Sequence, residues 1–138
     1  MGRLFGPVIG VRGLSRAGSR KVTVSLGKPR RMKSGKDWEC PFRIGGLGTR
    51  GIQYGYGVDA IQALTSALEG IRVTLERSGK RLSWIGGNPG DPGFERPVPS
   101  ALGLKFSQRL NRMIDREVAQ FVRVQERRHA RSAKSAKR

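Results

Sequence analysis

Asp59 and Gly79 bracket the strongest helical signal in the chain. Asp59 is placed to N-cap a helix, Gln62 follows three residues later in the capping-box position, and Gly79 is placed to end it. Between them Ile61, Leu64, Leu68, Ile71 and Leu75 recur at spacings of 3, 4, 3 and 4, the single apolar stripe of a 3.6-residue helix. Ala60, Ala63 and Ala67 lie beside that stripe, where small side chains allow close approach to a sheet. Glu69, Arg72, Glu76 and Lys80 fall on the outer face, spaced for weak surface ion pairs. A helix with one apolar stripe must bury it on another element, so the segments around it decide the fold.

Those segments read as strands. Val22, Val24 and Leu26 alternate with Lys21, Thr23 and Ser25; Trp38, Cys40, Phe42 and Ile44 alternate with Glu39, Pro41 and Arg43; Ile52, Tyr54, Tyr56 and Val58 alternate with Gln53, Gly55 and Gly57. Pro41 marks an edge or bulge position, because it has no N–H to give to a ladder. Residues 81–85, with Leu82 and Trp84, form a fourth short candidate. Beyond a Gly- and Pro-rich loop and Ser100, a candidate cap, a second helix begins near Leu104 with Phe106, Leu110, Met113, Ile114, Val118, Phe121 and Val122 as its stripe. The expected fold class is α+β: an antiparallel meander of three to four strands packed by one amphipathic helix, plus a long C-terminal helix.

Charge is segregated along this plan. The first 36 residues hold ten Lys or Arg and no acid, residues 37–125 hold 12 basic against 9 acidic, and residues 126–138 hold 6 against 1, within a net charge of +18 over 138 residues. The expected organisation is a basic, Gly-rich arm over 1–20, with Val8, Ile9 and Val11 as short-strand candidates, one domain over 21–125, and a basic tail over 126–138 that extends the second helix on binding. Same-sign charge at both ends adds nothing to a fold by itself and argues for an anionic partner. The candidate polyanion-binding residues are Arg12, Arg16, Arg20 and Lys21 in and after the arm, Lys28, Arg30, Arg31, Lys33 and Lys36 in the connection over 27–36, and Arg127, Arg128, Arg131 and Lys134 in the tail.

Trp38, Phe42, Tyr54 and Tyr56 fall on one face of the proposed meander. Exposed, such a face flanked by cations could stack single-stranded bases; buried, it is the floor beneath the Asp59 helix. The helix stripe needs a partner, so the core reading is favoured, leaving phosphate contacts to hold a nucleic acid.

Chemistry of other kinds finds little support. Residues 46–51 fit GxGxxG, but a strand pattern follows where a phosphate site needs a helix N-terminus, so a hairpin connection is expected. Cys40 and His129 are the single cysteine and histidine, too few for a zinc site, a Cys–His pair or a Ser–His–Asp triad. One cysteine also forms no internal disulfide. No apolar run reaches the length of a membrane span. The first 20 residues are Arg-rich and acid-free like a transit peptide, but their glycines oppose the required amphipathic helix, so a cytoplasmic location is expected.

The run from Trp38 to Ile44, the block Gly57-Val58-Asp59-Ala60-Ile61-Gln62-Ala63-Leu64, the Leu82-Ser83-Trp84 triplet and Gly93-Phe94-Glu95-Arg96 together resemble a family of small uncharacterised bacterial proteins, a domain of unknown function. The resemblance covers roughly residues 20–125 and implies a compact α+β domain of bacterial or mobile-element origin. It brings no activity, cofactor or functional residue, and the very basic ends are not a feature of the family. The expectation is therefore a non-enzymatic binding protein without cofactor or metal, engaging RNA or DNA within a ribonucleoprotein assembly. The alternative is a protein-binding module of the immunity, antitoxin or phage-inhibitor type that covers an acidic protein surface.

Overall fold

The structure is a computed structural model that describes residues 4–16, 21–49 and 51–138. It comprises two compact units, residues 1–96 and 97–138. The first contains strands β1 (Val8–Arg16), β2 (Val22–Gly27), β3 (Arg30–Arg31), β4 (Trp38–Gly45), β5 (Gln53–Gly57), helix α1 (Ala60–Arg77) and strand β6 (Leu82–Ser83); the second contains helix α2 (Leu104–Ala136).

The antiparallel sheet has six strands, more than the expected meander, because both ends of the first unit contribute to it. β2 pairs with β1 and β4, β1 also pairs with β6, and β5 and β3 flank β4. Within the expected arm over 1–20, Val8–Arg16 form strand β1, and residues 1–3 and 17–20 lie outside the described residues. The nine residues of β1 alternate imperfectly in hydrophobicity, with Gly10 and Gly13 in place of side chains, so the strand pattern was visible only at Val8, Ile9 and Val11. Leu14 of β1 is fully buried, which ties the strand into the core.

β2 and β3 run along the same side of β4 as one interrupted strand. Leu26 pairs with Phe42 and Arg30 with Glu39, leaving residues 27–29 opposite Cys40 and Pro41. Pro41 thus sits at a bulge, where its missing N–H costs no ladder bond on that side, and not at a sheet edge. Beyond β3, Met32 N–H donates to the Asp37 carbonyl at 2.8 Å and closes a hairpin tip into β4.

Helix α1 is capped as its sequence requires: Asp59 Oδ1 accepts from Gln62 N–H at 2.7 Å, and Gln62 Oε1 accepts from Val58 N–H at 2.7 Å. Gly79 follows the Ser78 C-cap with φ +66°, a left-handed turn natural to glycine. The buried face, however, differs from the expected stripe. Ala63, Ala67, Ile71 and Leu75 are buried, whereas Ile61 is 77% exposed and Leu68 is also exposed. The helix is rotated towards its small residues because the floor beneath it is glycine. A β-carbon on Gly55 would stand 2.2 Å from the Ala67 amide nitrogen, and one on Gly57 would stand 2.5 Å from that of Ala63.

The core beneath α1 gathers Leu14, Val22, Val24, Cys40, Phe42, Ile44 and Leu82. On the outer face Arg72 donates to Glu69 at 2.6 and 2.8 Å and to Glu76 at 2.6 Å. The Arg72 hydrogen bonds hold the Glu69 carboxyl below its usual range and push the guanidinium further up. That side of α1 is thereby close to charge-balanced.

In the second unit the α2 N-cap is Gly103, and no side chain caps the helix, so Ser100 does not take that role. The helix continues through the expected tail to Ala136, and none of its residues is buried.

Candidate nucleic-acid interface

Register divides the aromatic residues of the sheet between its two faces. Phe42 pairs with Gln53, Cys40 with Gly55 and Trp38 with Gly57, and these face α1. Pro41 pairs with Tyr54 and Glu39 with Tyr56, and these face away from it. The single aromatic face expected from the sequence is therefore split. Trp38 and Phe42 are core-facing, but Tyr54 and Tyr56 are not, because the glycines of β5 take the helix side.

Tyr54 and Tyr56 stack on each other, ring centroids 6.2 Å apart and planes inclined at 25°. Tyr56 is 53% exposed and Tyr54 half-buried. Beside them Arg43, exposed on the same face, lies over the Phe5 ring at 5.1 Å. Residues 4–7 cross this face: Lys28 N–H donates to the Pro7 carbonyl at 2.9 Å, and Arg30 Nη1 donates to the Leu4 carbonyl at 2.7 Å. They cover Pro41 and Glu39. The buried Glu39 accepts from Arg30 Nε at 3.0 Å, so its charge is paired where water is excluded. Among the described residues of this unit no helix covers Tyr54, Tyr56, Arg43 or Thr23, and Tyr54 and Arg43 lie on neighbouring strands of this face.

The cations singled out from the sequence have divergent placements. Lys33 and Lys36 are exposed at the hairpin tip, and Lys28 is exposed at the bulge. Arg31 lies over the Trp38 ring at 5.6 Å and donates to the Gly35 carbonyl at 3.4 Å. Arg30 is committed to Glu39 and to the Leu4 and Phe5 carbonyls. Arg16 and Lys21 are exposed at the ends of β1 and β2, while Arg20 lies outside the described residues. Arg127, Arg128, Arg131 and Lys134 are exposed on the last turns of α2.

Arg12 has a different role from the others. Its guanidinium lies between the Trp84 and Phe94 rings, 4.8 Å from each centroid, and donates to the Gly93 carbonyl. The Trp84 ring is closed in by the turn through Gly86 and Gly87, where a β-carbon would fall 2.4 and 2.3 Å from indole atoms. Arg12 therefore fastens residues 84–94 to β1. The nearby apolar cleft walled by Leu26, Leu68, Ile71 and Phe94 has a volume of about 170 Å³. That is smaller than the roughly 300 Å³ at which ligand pockets begin.

The residues sequence reasoning missed are Arg43, Thr23 and Phe5. Their signal was available in the alternation of β2 and β4, which places Thr23 and Arg43 opposite the core-facing Val24 and Ile44. In the hairpin loop over 46–51, Gly46, Gly48 and Gly51 have φ of +97°, +79° and +93°, and β5 follows, which makes the GxGxxG string a connection.

The arrangement defines an antiparallel α+β domain with one helix-covered face and an opposite face that carries Tyr54, Tyr56 and Arg43 and is crossed by residues 4–7. Residues 11–96, more than half of the chain, match the model of a domain of unknown function, DUF6968, and the chain belongs to that family. No curated protein and no solved structure matches it. No helix among the described residues is long and apolar enough to cross a membrane.

Proposed function

We propose that this protein is a non-enzymatic nucleic-acid-binding protein that takes a single strand across the open face of its sheet. The observation that carries this reading is the Tyr54–Tyr56 stack, half out in solvent beside Arg43, in a chain of net charge +18. Aromatic rings on an open sheet offer stacking surface to any base, and surrounding cations track the phosphates. Lys21, Lys33 and Lys36 supply exposed charge on the same domain. No constellation for acid–base or metal chemistry accompanies the patch, and among the described residues no three His, Cys, Asp or Glu side chains gather to hold an ion.

Binding of labelled single-stranded RNA and DNA by the full chain, measured across a salt series, tests the proposal. Release of several counterions gives a steep fall in affinity with salt. A flat salt dependence sinks the reading, as does a protein partner recovered in pull-downs that survives nuclease treatment while no oligonucleotide binds.

A further inference from the structure

Seven of the nine cations of α2 lie on one side of the helix, and Arg128 and Arg131 lie off it. Lys105, Arg109, Arg112, Arg116, Arg123, Arg127 and Lys134 follow one another at spacings of 4, 3, 4, 7, 4 and 7. At 3.6 residues per turn all seven fall within an arc of about 60°, and at 1.5 Å per residue the stripe is roughly 43 Å long. Asp115, Glu117 and Glu126 lie off it, and among the described residues none of the seven cations has an ion-pair partner. A helix that merely needed solubility would intersperse both signs; this one segregates them, at the cost of self-repulsion along the stripe.

We infer that this stripe is a second nucleic-acid contact, a straight rail that holds the phosphodiester backbone of a single strand. The inference rests on the nucleic-acid reading proposed above and assigns α2 a part in it. A flexible single strand can follow a straight helix for its full length, whereas a duplex curves away from it after a short distance. An anionic membrane is the competing polyanion, since the opposite side of α2 carries Phe106, Leu110, Ile114 and Phe121, all unburied. Glu117 projects within that apolar arc, and a bilayer would have to desolvate its charge. The observations therefore favour the nucleic acid.

The test compares two triple variants of the full chain that lose equal charge. R112Q/R116Q/R123Q cuts the stripe; R77Q/K80Q/R81Q removes three exposed cations of the first unit. Gln keeps helix propensity close to that of Arg, and far-UV circular dichroism checks that α2 is intact. Binding to fluorescein-labelled oligo(dT) is followed by anisotropy over a KCl series. The stripe variant is expected to lower the log–log salt slope by about 2, at roughly 0.7 per lost phosphate contact, with the control variant moving it by much less. Equal falls in the two variants, or an unchanged slope in the stripe variant while the wild type binds, overturn the rail and leave the sheet-face reading standing. The rail is also overturned if the stripe substitutions abolish binding to phosphatidylserine vesicles and leave oligo(dT) binding unaltered. Failure of the wild type itself to bind oligo(dT) overturns both readings together.

Discussion

Gly55 lies directly beneath Ala67, so close that a β-carbon on the strand would stand 2.2 Å from the helix amide nitrogen and 2.6 Å from both the Ala67 Cα and the Ala63 carbonyl oxygen. All three are backbone atoms, which cannot step aside as the end of a side chain can. Gly55→Ala must therefore lift α1 off β5, a case of overpacking that costs about 3 kcal/mol or more. Urea denaturation should show a lower midpoint for G55A. An unchanged midpoint would mean that the helix does not approach the strand this closely.

That contact also explains which parts of the fold the sequence disclosed. The boundaries of α1 were legible because Asp59, Gln62 and Gly79 act locally, each within one turn of its partner. The helix's orientation was not legible, because hydrophobicity counts Ile61 and Leu68 as core while the geometry is set by the absence of side chains at Gly55 and Gly57. The same glycines turned Tyr54 and Tyr56 outward, and a period-2 pattern read from large residues assigned them to the wrong face. β1 was concealed for a related reason: Gly10 and Gly13 dilute its alternation, and its second partner strand, β6 at Leu82, is far away in the sequence. The basic stripe of α2 was readable from spacing alone, but attention to the apolar periodicity passed over it.

If Tyr54 and Tyr56 serve to stack bases, their removal separates binding from stability. Tyr56 is exposed and the pair packs on no core residue from α1, so Y54A/Y56A should unfold within about 1 kcal/mol of the wild type. Affinity for a single strand should fall by roughly 1 to 3 kcal/mol per lost stack, with the salt slope nearly unaltered because no phosphate contact is removed. Anisotropy titrations of the double variant check both numbers. A loss of stability as large as the loss of affinity would assign the rings to packing.

Arg12 should behave in the opposite way. It is held between Trp84 and Phe94 and bonded to the Gly93 carbonyl, so Arg12→Gln loses two ring contacts and an anchor for residues 84–94. The expected cost is about 1 to 2 kcal/mol, most of it retained in Arg12→Lys, whose ammonium cannot stack as a plane. The salt slope of oligonucleotide binding should be unaffected by either change. In a Trp38→Phe background, where Trp84 is the single indole, tryptophan fluorescence should shift towards that of an exposed indole at lower denaturant.

The Arg30–Glu39 pair permits a sharper comparison. Glu39 is buried and Arg30 is about a third exposed, so solvent screens the cation but not the carboxylate. Arg30→Ala strips a buried charge of a partner and should cost about 1 to 3 kcal/mol, discounted from the range for fully buried pairs by that screening. It also releases the carbonyls of Leu4 and Phe5, so residues 4–7 should become accessible to limited proteolysis. Glu39→Gln keeps a hydrogen-bond acceptor and buries no charge, and should cost less than Arg30→Ala.

Cys40 gives the protein a recognisable alkaline signature. Its side chain is fully buried opposite Gly55, with the thiol donating to the Gly27 carbonyl at 3.4 Å, and burial pushes its pKa up to about 11 from an ordinary value near 9. The fold favours the neutral thiol, so between these values the native state keeps a proton that the unfolded chain has released. Stability therefore falls as pH rises from about 9 and levels off above about 11, by an amount on the order of 2 kcal/mol for this group alone. Cys40→Ala, which costs about 1 kcal/mol at neutral pH through the small cavity it leaves, has no thiol to titrate. Its deficit relative to the wild type should shrink through that window, and the two stability curves should cross near about pH 10. Ellman's reagent at pH 8 offers an independent check: the native thiol should react only as fast as the domain opens, and immediate labelling would show that Cys40 is not sealed beneath α1.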